Sequence, residues 1–402
     1  MKRCVDCGDA PVFHRVAWIA AILEKTLTFS RIPFNGFLRG IESLVAGPLY
    51  NIVTPFVMKV LVAARLAYFA DVPDAHTSGR TRVMWEEARR RGIPLRQFRL
   101  FGISRNSFLM TVDGTHKTFL DLPRPGDASS AGFAWMDDKE MVRERLSAAG
   151  VPTARGGIVT SIAQARALFE RLRPPIITKP EIGSRSRHTT THIHTEEELI
   201  QGFEKAAVLS PWVIVEEEEV GFVYRGTVVG GKLVAVLRRE PPMVIADGIQ
   251  TVAELIESEN KNPRRDGTIF HRIEIDDEAH AELIRQGVTL ESVPEKGIVV
   301  TLSQKATRGI GGGTTDMTDV IHADNRTMLE AAAAVVNDPL IGIDFIIPDV
   351  TKSWREQERS GIIECNSMPF IDLHHYPLVG SPRNVAGALW DIVISDTGSS
   401  IV

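Results

Sequence analysis

GIIECNSMPF, residues 361–370, decides how the rest of the chain is read. An apolar strand here gives two of its positions, Glu364 and Asn366, to oxygen-bearing side chains. Successive strand residues point to opposite faces, so Glu364 and Asn366 project together while Cys365 turns the other way into packing. A carboxylate beside an amide carbonyl is hard-oxygen chemistry of the kind Mg²⁺ accepts, usually with few protein ligands and several phosphate or water oxygens. An isolated E-x-N is more often two solvated residues at a strand end. The pair needs partners elsewhere in the chain.

The chain has 402 residues, which is longer than one core usually supports, so two or three domains are expected. Hydrophobic residues at 44% and charged residues at 24% are the balance of a globular protein rather than a disordered one. A net charge of -5 argues against non-specific nucleic-acid binding, which needs a basic footprint. Three cysteines cannot make a disulfide framework, and a reducing, cytoplasmic setting is the expectation. Cys4 and Cys7 form a C-x-x-C with His14 close behind. A structural zinc site wants four ligands and there is no second C-x-x-C, so two incidental thiols at a frayed terminus are expected.

Residues 12–70 are unusually apolar, but Glu42, Pro48, Asn51, Pro55, Lys59 and Arg65 interrupt every window long enough to span a bilayer. Asp6, Asp9 and His14 spoil a signal-peptide reading. A helical leader over residues 1–70, packed on the rest of the protein, is favoured over a membrane-surface anchor. From Thr77 the sequence reads as a capped helix, a Gly-Ile-Pro stop, a strand, then a hairpin around Asp113-Gly114. This α/β pre-domain, residues 71–130, runs into a Pro, Gly and Ser-rich stretch at 123–132 that reads as a linker.

The third segment, 131–397, carries the chemistry. An Asp-Lys pair at Asp138 and Lys139 opens a helix that stops at Gly150, and Thr195 with Glu198 makes a capping box for a later one. Lys179 leaves the apolar strand PIITK beside a loop containing Gly183. A lysine there can hold phosphate as a point charge while backbone N–H groups cover it. Nothing fits the P-loop pattern. Four glutamates, Glu216 to Glu219, end a buried-looking strand and lead through Gly221 and Arg225 to a Gly230-Gly231 hairpin. Such a run usually marks a solvated face, but here it also suits an adenine hinge. Asp344 in IGIDFII is a charge within an apolar run, costly to bury unless it meets a cation.

Lys139, Lys179, Glu216 with Gly221 and Arg225, Asp344 in GIDF and the IIECN stretch resemble the ATP-grasp ligases in order and spacing. Within them, VVGGKLVAVLRREPPMVIADGIQTVAELIE and TLSQKATRGIGGGTTDMTDVIHADN resemble cyanophycin synthetase and the glutathione-synthetase module of the bifunctional glutathione-forming enzyme. The resemblance covers about Met136 to Val393; the first 130 residues match neither relative.

It implies an α/β ATP-grasp fold, two α+β subdomains gripping ATP, behind the pre-domain and leader. It also implies ATP with Mg²⁺ (or Mn²⁺) as cofactors. Lys139, Lys179 and Gly183 would hold phosphates, and Glu216, Glu217 and Glu219 would form the nucleotide hinge. Asp344, Glu364 and Asn366 would take the metal. Arg225 and Arg308 would serve catalysis, and the Arg308–Asp316 loop would fold over substrate. The implied reaction joins a carboxylate to an amine through an acyl-phosphate, on an amino-acid-like or peptide substrate. Two departures limit the transfer of substrate identity. Phe222 and Val223 stand where many relatives have an acidic ribose contact, leaving that role to Glu219, and RGIGG replaces STGG. An ATP-grasp kinase, or a non-catalytic nucleotide-binding or membrane-associated protein, stays open beside the ligase reading.

Overall fold

The structure is a computed structural model and describes residues 4, 7, 12–29, 48–74, 77–112, 114–125, 136, 138–181, 187–267, 269–306 and 308–395. The first sheet is an antiparallel meander of β1 (Ala67–Ala70), β2 (Leu95–Leu100), β3 (Ile103–Val112) and β4 (Thr115–Leu120). The expected hairpin is present, with Val112 opposite Thr115 and Gly114 at φ 76°. Between β1 and β2 runs the helix Gly79–Arg90, capped by the Ser78 side chain.

A second sheet holds β5 (Gly156–Val159), β6 (Ile176–Pro180), β7 (Thr190–Ile193) and β8 (Val213–Glu217) in the order β5-β8-β6-β7. Helices Ile162–Phe169 and Glu196–Ala207 pack on it, the latter closed by the Thr195–Glu198 capping box. The chain then forms a hairpin of β9 (Phe222–Val229) and β10 (Lys232–Glu240), turning at Gly230 and Gly231. Both glycines have positive φ, which a two-residue hairpin turn of this kind demands. A small lobe follows, in which β11 (Met243–Ile245) pairs with β12 (Val299–Thr301) under helices Val252–Asn260 and Asp277–Arg285. Finally β13 (Gly313–Asp316), β14 (Leu340–Ile347) and β15 (Gly361–Asn366) complete a large sheet ordered β13-β10-β9-β14-β15.

Helices Lys139–Ala148 and Ala323–Val336 cover one face of the large sheet, where Tyr224 and Phe345 stack at 5.3 Å between ring centroids. On the other face, helix Val385–Ser395 joins the pre-domain to the sheet. Trp390 is buried between Trp85, Phe108 and the Val229–Leu340 region, and its indole N–H donates to the Met84 carbonyl at 2.9 Å. The pre-domain and the large sheet therefore share one core.

Several expectations change here. The leader's last residues, Ala67–Ala70, are strand β1 and pair with β2. Helices His14–Phe29 and Pro48–Ala63 bury Ala21 and Met58 but expose Val16, Ile19, Val53 and Phe56, so they are only partly packed. Among the described residues no helix is long and apolar enough to cross a membrane. The stretch expected as a linker from residue 123 begins as buried structure, because Arg124 is clamped by Asp338 and by the carbonyl of Ser367. Residues 126–132 lie outside the described residues. The glycine loop expected to fold over substrate is in part the edge strand β13, paired to β10 with Asp316 opposite Leu237. The Cys4 and Cys7 sulfurs, expected at a frayed terminus, both meet the ring of His188.

Candidate active site

The register of the large sheet lines up the residues that the sequence scatters. Arg225 on β9 lies opposite Asp344 on β14, and Asp344 lies opposite Glu364 on β15, one row across three strands. Directly opposed residues in a sheet present their side chains on the same face. The next row on that face is Thr227, Gly342 and Asn366. Gly342 leaves room for its neighbours: a Cβ there would come within 2.7 Å of Pro369 and 3.2 Å of the Arg225 guanidinium.

Asp344 is 2% exposed, and its cation is Arg225, whose guanidinium forks onto both carboxylate oxygens. Arg239, reaching over from β10, stands 3.5 Å from the same carboxylate. Burial pushes the Asp344 carboxyl upward, but the two guanidinium groups outweigh it and hold the group below its usual value. Burial drives Arg239 the opposite way, below the usual guanidinium range, against the pull of Asp344. His374 faces this row from below, its Nε2 2.8 Å from the Thr227 hydroxyl. Burial first, then the Arg225 charge, pushes it down to about 3, so it is neutral.

The donor set suits a hard divalent cation. Two carboxylates are opposed across a strand pair, with an amide two residues along. The Asn366 Nδ2 is buried with no hydrogen-bond partner among the described residues. Rotating that amide exchanges nitrogen for oxygen, which would turn an unsatisfied donor into a ligand atom.

The second sheet meets the edge strand β15 at a narrow cleft lined by Lys139, Arg143, Thr153, Lys179, Glu216 and Ile362. Lys179, on β6, pairs with Glu216 on the adjoining β8. Lys139 begins its helix behind the Asp138 cap and donates to the Glu181 carbonyl at 3.2 Å. Burial lowers the Lys139 pKa, partly opposed by Glu364, so the lysine senses the metal-type residues. Gly183 lies outside the described residues.

The four glutamates do not act alike. Glu216 belongs to the Lys179 pair. Glu217 is bound by Arg173 at 3.3 Å and faces Arg155 at 3.5 Å; the backbone and side chain of Arg173 hold it low against the effect of burial. Glu218 meets His192 at 3.1 Å. Glu219 is raised to about 7 by burial and by Glu216 beside it. These residues end β8 and connect the second sheet to the large one, as a hinge would. Arg225 is not part of that connection but sits in mid-strand beside Asp344. Arg308, on a short 3₁₀ turn, pairs with Asp372 at 3.0 Å, and the other oxygen of Asp372 is buried without a partner among the described residues.

Arg239, Gly342 and His374 belong to the site but were not singled out in the sequence. Gly342 had a visible signal, two places before a buried aspartate; Arg239 and His374 become neighbours only through sheet register.

Two α+β sheets joined by an acidic connection, with Lys179 on the smaller and a carboxylate row on the larger, have the ATP-grasp fold. The fold matches that of a bifunctional glutathione synthetase from Pasteurella multocida with a TM-score of 0.61 at 23% identity, covering 79% of this chain and 43% of that one. In sequence the chain is similar to cyanophycin synthetase from Nostoc sp. (strain PCC 7120 / SAG 25.82 / UTEX 2576), 34% identical over 330 residues. It is also similar to the glutathione biosynthesis bifunctional protein GshAB of Mannheimia succiniciproducens, 32% identical over 269 residues, 63% of this chain and 35% of the relative. No protein-family model matches. The resemblance to ATP-grasp ligases read from the residues is thus met by relatives of that kind. The Nostoc match covers 81% of this chain but only 36% of the relative, so the chain spans about a third of that protein's length. A match of that extent cannot fit within residues 131–402. Part of the first 130 residues is therefore matched too, contrary to expectation.

Proposed function

We propose that the chain is an ATP- and Mg²⁺-dependent carboxylate–amine ligase acting through an acyl-phosphate on an amino-acid-like or peptide substrate. The observation that carries this reading is the row Arg225–Asp344–Glu364, with Asn366 alongside, in the sheet whose edge strand β15 borders the cleft that holds Lys139 and Lys179. ATP would lie between the two sheets, its base and ribose against the Glu216–Glu219 connection and its phosphates toward the lysines. Asp344, Glu364 and Asn366 would hold Mg²⁺ (or Mn²⁺), which neutralises phosphate charge when bound.

Phosphoryl transfer asks the protein mainly for position and charge. Lys179, exchanging Glu216 for phosphate, would draw on the transferring group as a point charge, with Lys139 beside it. A substrate carboxylate oxygen attacks the γ-phosphorus and ADP leaves, giving an acyl-phosphate; the amine then attacks the acyl carbon, and phosphate leaves with the former carboxylate oxygen. Arg239 and Arg308 would steady anionic groups of the substrate.

The test is isotopic. With ¹⁸O in the substrate carboxylate, a ligase of this type delivers label to inorganic phosphate as amide forms. Phosphate retained on the substrate would make the protein a kinase, and an absence of ADP with every paired amino acid and dipeptide would leave a binding module.

A further inference from the structure

The N-terminal thiols lie outside everything assigned above, yet they converge on a histidine from a distant part of the chain. Cys4 and Cys7 sit on one tight turn, closed by the Cys7 amide donating to the Cys4 carbonyl. His14 is the first residue of the helix that follows, and His188 arrives from the connection between β6 and β7. The Cys7 sulfur is 3.3 Å from His14 Nε2 and 3.5 Å from His188 Nε2, and the Cys4 sulfur is 3.7 Å from His188 Nε2. One ligand atom from each of the four residues lies within 4.8 Å of every other.

Four thiol and imidazole groups rarely gather around a common point for their own sake. His188 Nδ1 donates to the Lys205 carbonyl at 2.8 Å, which leaves Nε2 as the nitrogen with a lone pair. Both sulfurs approach that nitrogen, and the Cys7 sulfur also approaches His14 Nε2, so four ligand atoms converge on one point. A cation there takes the imidazole lone pairs and both thiolates together. Tetrahedral zinc with Zn–S near 2.3 Å and Zn–N near 2.0–2.1 Å places sulfur and nitrogen ligand atoms roughly 3.6 Å apart, the spacing found here. The His188–Lys205 bond is the outer-shell contact that fixes tautomer and ring direction for a metal-binding histidine. Cys7 and His188 are each 3% exposed, and the His14 and His188 rings meet edge to face at 4.9 Å, as two ligands around one centre do.

We propose that Cys4, Cys7, His14 and His188 form a closed, structural Zn²⁺ site that fastens the N-terminal turn and the head of helix His14–Phe29 to the connection between β6 and β7. Two thiolates and two imidazoles select zinc over the hard cations suited to the Asp344 site. This assignment is independent of the proposed ligase activity.

The test uses the full chain, purified without chelator and analysed for metal by mass spectrometry. One zinc per chain is expected, with Cys4 and Cys7 slow toward a thiol reagent until a chelator strips the metal. Replacement by cobalt should give the intense visible bands of a tetrahedral site together with thiolate-to-metal charge transfer. Cys7→Ser and His188→Ala should lose the metal, whereas Cys365→Ser, at a buried sulfur on β15, should keep it. A chain that takes up no zinc on reconstitution, a six-coordinate cobalt spectrum, or a Cys4–Cys7 disulfide in the freshly isolated reduced preparation would each overturn the proposal. Should the ligand variants fail to fold, the cobalt spectrum of the unaltered chain decides.

Discussion

Arg225 grips both carboxylate oxygens of Asp344, and the two residues are 5% and 2% exposed, so each is the other's principal counter-ion in the sheet. Removing one partner leaves a buried, unpaired charge. Arg225→Ala or Asp344→Ala should lower unfolding free energy by about 3–5 kcal/mol. The double replacement Arg225→Met with Asp344→Leu should recover much of that stability while restoring no turnover. Urea unfolding followed by fluorescence, with ADP release measured in parallel, separates the two effects; equal stability losses in single and double variants would contradict the pairing.

Glu364→Gln keeps the strand and its packing but removes half of the carboxylate pair. Turnover should fall by about a hundredfold or more with the melting temperature nearly unchanged. Near-normal ADP formation at ordinary Mg²⁺ would take Glu364 out of the metal set.

Lys179→Met removes the point charge proposed for the transferring group and leaves Glu216 without its cation. ADP formation and ¹⁸O transfer to phosphate should slow together, because both follow from one phosphoryl step. A variant that slows label transfer alone would place Lys179 after that step.

Glu219 makes stability depend on pH. Its carboxyl is raised from 4.5 to about 7 in the folded protein, so between those values the native state holds a proton that the unfolded chain has released. The contribution is complete below pH 4.5, fades as pH rises, and is gone above about 7, a loss of order 3 kcal/mol across the window. Glu219→Gln should flatten that limb of the stability profile; an unaltered slope between pH 5 and 7 would assign the titration elsewhere.

Much of the fold was legible because its signals are local: Gly230-Gly231 between Val-rich arms, the capping residues Asp138 and Thr195, and a charge at Asp344 that burial could not tolerate alone. The carboxylate row was legible in kind, since Glu364 and Asn366 share a strand face by alternation. What the sequence hid depends on pairing between distant strands. Nothing near Arg225 marks it as the partner of Asp344 rather than part of the hinge, because that contact is a matter of register between β9 and β14. The reach of Arg124 to Asp338 and of His188 to Cys4 and Cys7 was hidden because it joins connections far apart in the chain. A C-x-x-C followed by one histidine looks incomplete until the fold delivers the fourth residue.

Gly221 carries a mechanical consequence. At φ 125° it lies where a Cβ would stand 2.3 Å from the Ile347 carbonyl carbon, so backbone rests on backbone at this point. Just before it, the Glu218 amide is bonded to the Pro175 carbonyl of one lobe and the Val220 amide to the Arg359 carbonyl of the other. The lobes are thus pinned within a few residues of each other, and sliding is denied to them; what is left is swing about the pin. Displacement in a swing grows with distance from its axis. The pocket corner beside Glu219, with the Lys179–Glu216 pair next to it, would hold nearly constant dimensions throughout, while parts of each lobe farther from the pin would sweep longer arcs.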